Sequence, residues 1–196
     1  MIILKNITKT YHSLTVLKDL SLTLERGQRY CLMSPSGSGK TTLLRLLMQL
    51  EQPDGGSIST TSGKAYRDLV ISPVFQENRL CEAFSPLENV MISPGCSHKA
   101  SQVREELERL LPPECLTRPV STLSGGMKRR VAILRALLAP SDLLLMDEPF
   151  TGLDGEMKQQ VIQYIREKQE GRLLLLTTHQ EEDVDLLEGR LIHLPS

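Results

Sequence analysis

The sequence lacks any uninterrupted apolar run approaching the roughly 18–20 residues that a membrane span requires. Its opening, MIILKNITKTYHS, has no basic segment followed by a long apolar stretch, so it does not read as a signal peptide. The chain is therefore expected to be soluble, and any work at a membrane would need another chain to do the spanning. An excess of positive charge is also missing: 23 Lys and Arg face 24 Asp and Glu, a formal net charge of -1. Nucleic-acid affinity draws on clustered positive charge, so a nucleic-acid partner is not expected. Cysteine is scarce and unpatterned. Cys31, Cys81, Cys96 and Cys115 form no C-x-x-C pair and have no histidine at metal-ligand spacing, which points to free thiols in a reducing compartment. Internal repeats and low-complexity segments are absent as well.

What is present is the material of one domain, or of one domain with a sizeable insertion. Over 196 residues, 40% hydrophobic and 24% charged is ordinary globular composition. MIILKNIT and TVLKDLSLTLE show partly alternating apolar positions, the pattern of strands with one face covered. RGQ turns into a further strand, RYCLMS, and Leu43, Leu44, Leu46, Leu47 and Leu50 supply the apolar face of the helix beyond it. PDGGS is expected to end that helix in a turn, with short strands near SIST and LVISPVF. From Gln76 to Thr122 prolines recur and helix patterns replace strands, most clearly in HKASQVREELERLL. There Val103, Leu107, Leu110 and Leu111 share one face, and Arg104, Glu105, Glu108 and Arg109 read as solvated. DLLLMDE and RLLLLTT are apolar throughout, as parallel strands covered on both faces should be, with the helix GEMKQQVIQYIREKQEG between them.

Three stretches carry chemistry. SPSGSGKT matches G-x-x-x-x-G-K-[ST] at every fixed position but the first, where Ser34 stands for Gly. In the loop Ser34, Pro35, Ser36, Gly37, Ser38, Gly39, the two glycines let the backbone beyond Ser34 curl into a nest of inward N–H groups, backed by the positive end of the following helix. Lys40 can reach the β- and γ-phosphates of a nucleotide, the Thr41 hydroxyl can ligate Mg²⁺, and Thr42 is expected to donate to the α-phosphate. A bare Gly/Ser turn is the competing reading, opposed by the strand–loop–helix order. Ser34 ends the strand before the nest, so it costs binding only if its φ must be positive. LLLMDE ends a buried strand in two carboxylates, and neighbours on an extended chain face opposite ways. Asp147 is expected to hold Mg²⁺ through water, and Glu148 to act as general base on the attacking water. TLSGGMKRR offers the Ser124 hydroxyl and the Gly125 and Gly126 backbone at a helix N-terminus to a second anion, which suggests a nucleotide shared between two copies. Lys128, Arg129 and Arg130 read as a solvated helix face rather than a nucleic-acid patch.

Taken together and in order, these motifs resemble the ATPase subunit of ATP-binding-cassette (ABC) transporters over nearly the whole chain. The ordered set is the phosphate loop 34–41, Gln76 in VFQENRL, the signature LSGGM, the segment LLLMDE, the loop TGLD and His179 in LLTTHQ. The resemblance implies an α/β fold: a P-loop core with a mostly parallel sheet, an antiparallel β part, and a helical insertion at 76–122 between core segments 1–75 and 123–196. It implies further roles as well. Tyr11 would stack on adenine, with Val16 lining the same site. Gln76 would contact Mg²⁺ and the attacking water, and His179 would hydrogen-bond the γ-phosphate. Asp154 would sit in a loop against the opposing subunit. His12, His98 and His193 are left as structural residues.

The resemblance also implies the working assembly: ATP and Mg²⁺, a homodimer or paired cassette subunit closing head to tail, transmembrane permease subunits, a solute-binding protein, and a place on the cytoplasmic face of the membrane. Loop wording is most similar to the bacterial nitrate, sulfonate and taurine importers. A cassette protein acting on nucleic acid or ribosomes, and a regulatory module with weak turnover, are the alternatives. Two departures stand beside Ser34. Met127 occupies a place where many members have Gln, and only a short tail follows His179, so the closing strand and helix of the core are expected to be trimmed.

Overall fold

The computed structural model describes residues 1–61 and 63–194. Two sheets organise it. An antiparallel sheet, in the order β2-β1-β4, comprises β1 (Ile2–Tyr11), β2 (Leu14–Leu24) and β4 (Gly55–Thr60). A five-stranded sheet runs β5-β6-β7-β3-β8, with β3 (Arg29–Leu32), β5 (Ile71–Val74), β6 (Leu143–Met146), β7 (Leu173–Thr177) and β8 (Arg190–Ile192). All four pairings in the second sheet are parallel.

The unbroken leucine runs explain the layering. On β6, Leu143 and Leu145 point into one apolar cluster, while Leu144 and Met146 point into another. On β7, Leu173 and Leu175 divide from Leu174 and Leu176 in the same way. A period of two with both sets apolar is what a strand needs when both faces are covered. The first cluster joins the sheet to helix α1 (Lys40–Leu47) and to the antiparallel sheet through Leu4, Ile7 and Leu24. The second joins it to helices α4 (Gly125–Leu138) and α5 (Gly155–Lys168). Helices α2 (Pro86–Met91) and α3 (Ala100–Glu108) follow β5, and their Val90, Val103 and Leu107 enter this second cluster, with Leu110 and Leu111 just beyond α3. Arg104, Glu105, Glu108 and Arg109 are exposed, as the pattern required.

Some expectations need correction. The helix after the phosphate loop ends at Leu47, so Leu50 lies past its apolar face and is 53% exposed. Gly55 and Gly56 open strand β4 instead of forming the turn that ends α1. At Gly56, φ is +83 and a Cβ would come within 2.3 Å of the Lys5 carbonyl oxygen, beside the register shift between Lys5 and Thr8. Only glycine lets the two backbones approach that closely. Beyond His179 the chain still holds helix α6 (Glu181–Leu187) and strand β8, which pairs with β3, so a closing helix and strand are both present. No helix of the described residues is long and apolar enough to cross a membrane.

Candidate functional site

The site lies beyond the carboxyl ends of β3, β6 and β7, where open α/β sheets generally place their ligands. Strand β3 feeds the phosphate loop. Gly37 and Gly39 take φ values of 82 and 92, and the second caps α1 from the left-handed region. A Cβ on Gly39 would lie 2.8 Å from Leu17 Cδ2 and 3.0 Å from Val16 Cγ1. The loop is thus seated on β2, with Val16 directly beneath it. Lys40 is 7% exposed and donates to the Ser34 and Pro35 carbonyls, the latter at 3.0 Å.

Ser34 does not enter the positive-φ region, so replacing glycine there strains nothing. Its hydroxyl has a job of its own: the backbone N–H of Leu194 donates to Ser34 Oγ at 2.8 Å. His193 Nδ1 lies 2.8 Å from the Met33 carbonyl, which can only accept, so that nitrogen carries the proton. The segment after β8 is therefore fastened to the entry of the phosphate loop.

The two acids beyond β6 part company, though not because both lie on an extended strand. The strand ends at Met146, and Glu148 has φ 46, a left-handed conformation that redirects its side chain. Asp147, 7% exposed, accepts from Thr41 Oγ1 at 3.2 Å and from Thr177 Oγ1 at 2.7 Å. The Thr177 oxygen in turn accepts from the Glu148 N–H at 2.8 Å. One hydroxyl at the end of β7 thus ties down both acids. Sequence reasoning passed over Thr177, although a threonine at the end of an all-leucine strand, two residues before His179, was the signal available. Glu148 itself faces His179, with Nε2 and Oε1 2.9 Å apart, and Thr151 Oγ1 donates to its other oxygen at 3.3 Å.

Thr41, Asp147 and the exposed Gln76 line one cavity of about 430 Å³. A hydroxyl, a carboxylate and an amide oxygen facing one space form the hard-oxygen set that Mg²⁺ prefers, so these residues fit that ion. Glu148, Thr177 and His179 line a neighbouring cavity of about 500 Å³. Tyr11 keeps 36% of its surface open and hydrogen-bonds Glu51. Burial first, then that bond, hold its phenol above the ordinary range, with the Thr42 hydroxyl working the other way. The Tyr11 hydroxyl therefore lies near Thr42, at the start of α1.

Ser124 is placed elsewhere. It caps α4, accepting from the Met127 N–H at 3.3 Å, and is exposed with Gly125. Among the described residues it neither bonds the chain's own phosphate loop nor lines the cavities beside it. Gly126 packs on the TGLD loop, where a Cβ would come 3.0 Å from the Gly152 carbonyl oxygen. Asp154 caps α5, accepting from the Met157 N–H at 2.9 Å. Met127 packs against the core instead of standing free.

The reading of Lys128–Arg130 as a solvated face fails at Arg129, which is 3% exposed. Lys128 does reach outward, to Glu82 at 3.0 Å, and Arg130 is half-buried. Arg129 instead turns inward beneath the Gln76 and Glu148 loops.

Residues 17–151 match the family model described as ABC transporter, over two thirds of the chain. The chain belongs to the ABC transporter family. Among curated ABC proteins, it is 37% identical over 195 residues to an aliphatic sulfonates import ATP-binding protein of Rhodococcus jostii, covering 94% of this chain and 75% of that one. It is 34% identical to a lipoprotein-releasing system ATP-binding protein of Bacteroides thetaiotaomicron, over 99% of this chain and 96% of that one. Its fold superposes with a TM-score of 0.85, at 28% identity, on the ATP-binding cassette MJ0796, solved as a dimer in a post-hydrolysis state with ADP and Pi; the match covers 99% of this chain and 94% of that one. Sulfate/thiosulfate and ferric-ion import ATP-binding proteins match as well, and the chain spans 56% to 62% of their length.

Proposed function

We propose that this chain is the ATP-binding and ATP-hydrolysing subunit of a transporter, energising movement of a solute through a partner permease. One separation carries the reading. The phosphate loop, Asp147 and Glu148 converge at one place, while Ser124 and Gly125 form an exposed helix end that, among the described residues, makes no hydrogen bond to that loop. Two copies arranged head to tail would complete both sites, and the solved relative MJ0796 is described as a dimer holding ADP and Pi.

In this mechanism the nest over 35–39 and Lys40 bind the phosphates, and Tyr11 and Val16 receive adenine. Thr41, Gln76 and Asp147 would hold Mg²⁺, which supplies charge neutralisation to the phosphates. Glu148 takes a proton from the attacking water, and His179, already bonded to its carboxylate, fixes that orientation and reaches toward the γ-phosphate. A ligand shifts an equilibrium only by its differential affinity for the two states. The γ-phosphate provides that difference, because only with it present does each nucleotide bridge a phosphate loop to the partner's Ser124. Loss of the charge reopens the pair. The helical segment 76–122 carries the movement to the permease on the cytoplasmic face of the membrane, with a solute-binding protein supplying the cargo. The names of the relatives range from sulfonate and sulfate import to lipoprotein release, so the solute is set by those partner chains. Phosphate release by the purified chain with MgATP, alone and with membrane subunits, tests the proposal. Turnover abolished by Glu148→Gln supports it, and absence of any turnover in the unmodified chain refutes it.

A further inference from the structure

Arg129 is the most deeply buried basic side chain among the described residues, and the mechanism above does not use it. The residue is 3% exposed, and among the described residues no carboxylate pairs with it directly. Every nitrogen instead donates to a loop of the site. Nε donates to the Pro149 carbonyl at 3.1 Å, and one terminal nitrogen donates to the carbonyls of Asp147 and, at 2.6 Å, Glu148. The other donates to the Phe75 carbonyl, and at 3.3 Å to the Gln76 carbonyl and Asn78 Oδ1. One planar fork therefore spans two loops that leave adjacent strands β5 and β6, the first carrying Gln76 and the second both acids. A buried guanidinium satisfied by five main-chain carbonyls is a costly arrangement unless their geometry matters, because replacing a buried charge with apolar packing is often neutral or stabilising. Burial pulls its proton affinity down, and the negative charge of Asp147 and Glu148 works against that pull.

The second observation is where Arg129 stands in its own helix. It follows the Ser124 cap by five residues, within the first turns of α4, and a helix over that length is stiff. The helix end that faces outward as the signature and the side chain that grips the catalytic loops are thus parts of one rigid rod.

We propose that Arg129 is a positioning residue that holds Gln76 and Glu148 in register, and that through α4 it ties the catalytic loops of one nucleotide site to the Ser124–Gly126 end that completes the other. The inference rests on the two-copy reading above and deepens it. Formation of the trans contact at Ser124 would press α4, and with it the spacing of Gln76 and Glu148 in the same chain. Each site would then sense whether its twin is filled. Lysine cannot replace arginine here, since a single ammonium lacks the planar fork that reaches both loops at once.

The test measures kcat and KM with MgATP, and the affinity for a non-hydrolysable ATP analogue without Mg²⁺, in Arg129→Lys and Arg129→Gln. Because Arg129 touches no residue of the phosphate loop, that metal-free affinity should stay within about twofold. In contrast, kcat should fall more than tenfold in both variants, lysine failing to rescue it. If either variant keeps kcat within twofold, or if kcat and analogue affinity fall in proportion as they would in a partly unfolded preparation, the proposal is wrong. A second measurement needs no substitution. Hydrogen exchange of the unmodified chain should show segments 75–79, 125–131 and 146–150 slowing together when the analogue is added. If the catalytic loops respond while the start of α4 does not, the link is refuted. This second readout requires binding but no turnover, so it judges the link between α4 and the two loops even if ATP hydrolysis were to fail.

Discussion

At the scale of single residues, Lys40, Asp147 and Glu148 are each held by partners that limit what they can do. Lys40 is kept inside the loop by two carbonyls, so its ammonium is already desolvated where phosphate oxygens would arrive. Lys40→Ala should weaken MgATP binding about 10- to 100-fold, the worth of one charge-assisted hydrogen bond, as read by nucleotide titration. Glu148→Gln keeps the shape beside His179 but removes the base. Hydrolysis should fall by about two to four orders of magnitude with ATP affinity preserved, and phosphate release at the unmodified rate would remove Glu148 from its role. Ser34→Ala deletes the acceptor for the Leu194 N–H. Stability should drop by about 1 kcal/mol, and the Leu194 amide should exchange faster. The sequence showed the Ser34 substitution but not its use, because the partner that gives the hydroxyl its purpose lies 160 positions along the chain. Arg129 was hidden for the same reason. Three consecutive basic residues on a helix normally face water, and only the packing of α4 beneath β5 and β6 turns the middle one inward.

Among elements, the parallel strands were the most legible part, because a strand covered on both faces must be apolar at every position and LLLM and LLLLT are. Element ends were less so. Leu50 continued the helical spacing of α1, yet the helix stops at Leu47, and spacing cannot see a terminus that the loop geometry imposes. Nor did periodicity reveal how α3 meets α5. There Glu106 accepts from Tyr164 at 2.9 Å and from Lys168, with Arg109, the residue that ends α3, at 3.5 Å. Burial raises the Glu106 carboxyl, but Lys168, Tyr164 and Arg109 outweigh it and hold the group below its ordinary value of 4.5. A depressed folded-state value means that the pairing stabilises the chain above about pH 4.5 and is lost as pH falls through the lowered value. Thermal melts from pH 7 to pH 3 should therefore show an acid-side decline that is shallower in Glu106→Gln. An unchanged acid slope would separate Glu106 from that decline.

For the whole molecule, the central claim is that one chain holds two halves of different nucleotide sites. The order of motifs suggests it in the sequence, since LSGG at a helix start offers a second anion-facing end besides the phosphate loop. In the structure Ser124 caps an exposed helix end, and the neighbouring Gly126 packs on the TGLD loop. Closure should then depend on nucleotide and be trapped when the base is disabled. The most direct measurement is the solution mass of Glu148→Gln by sedimentation or light scattering, with saturating MgATP, with MgADP, and with no nucleotide. The account predicts twice the mass of one chain with MgATP and a single chain in the other two conditions. A single chain with MgATP, persisting when the membrane subunits are supplied, would contradict it.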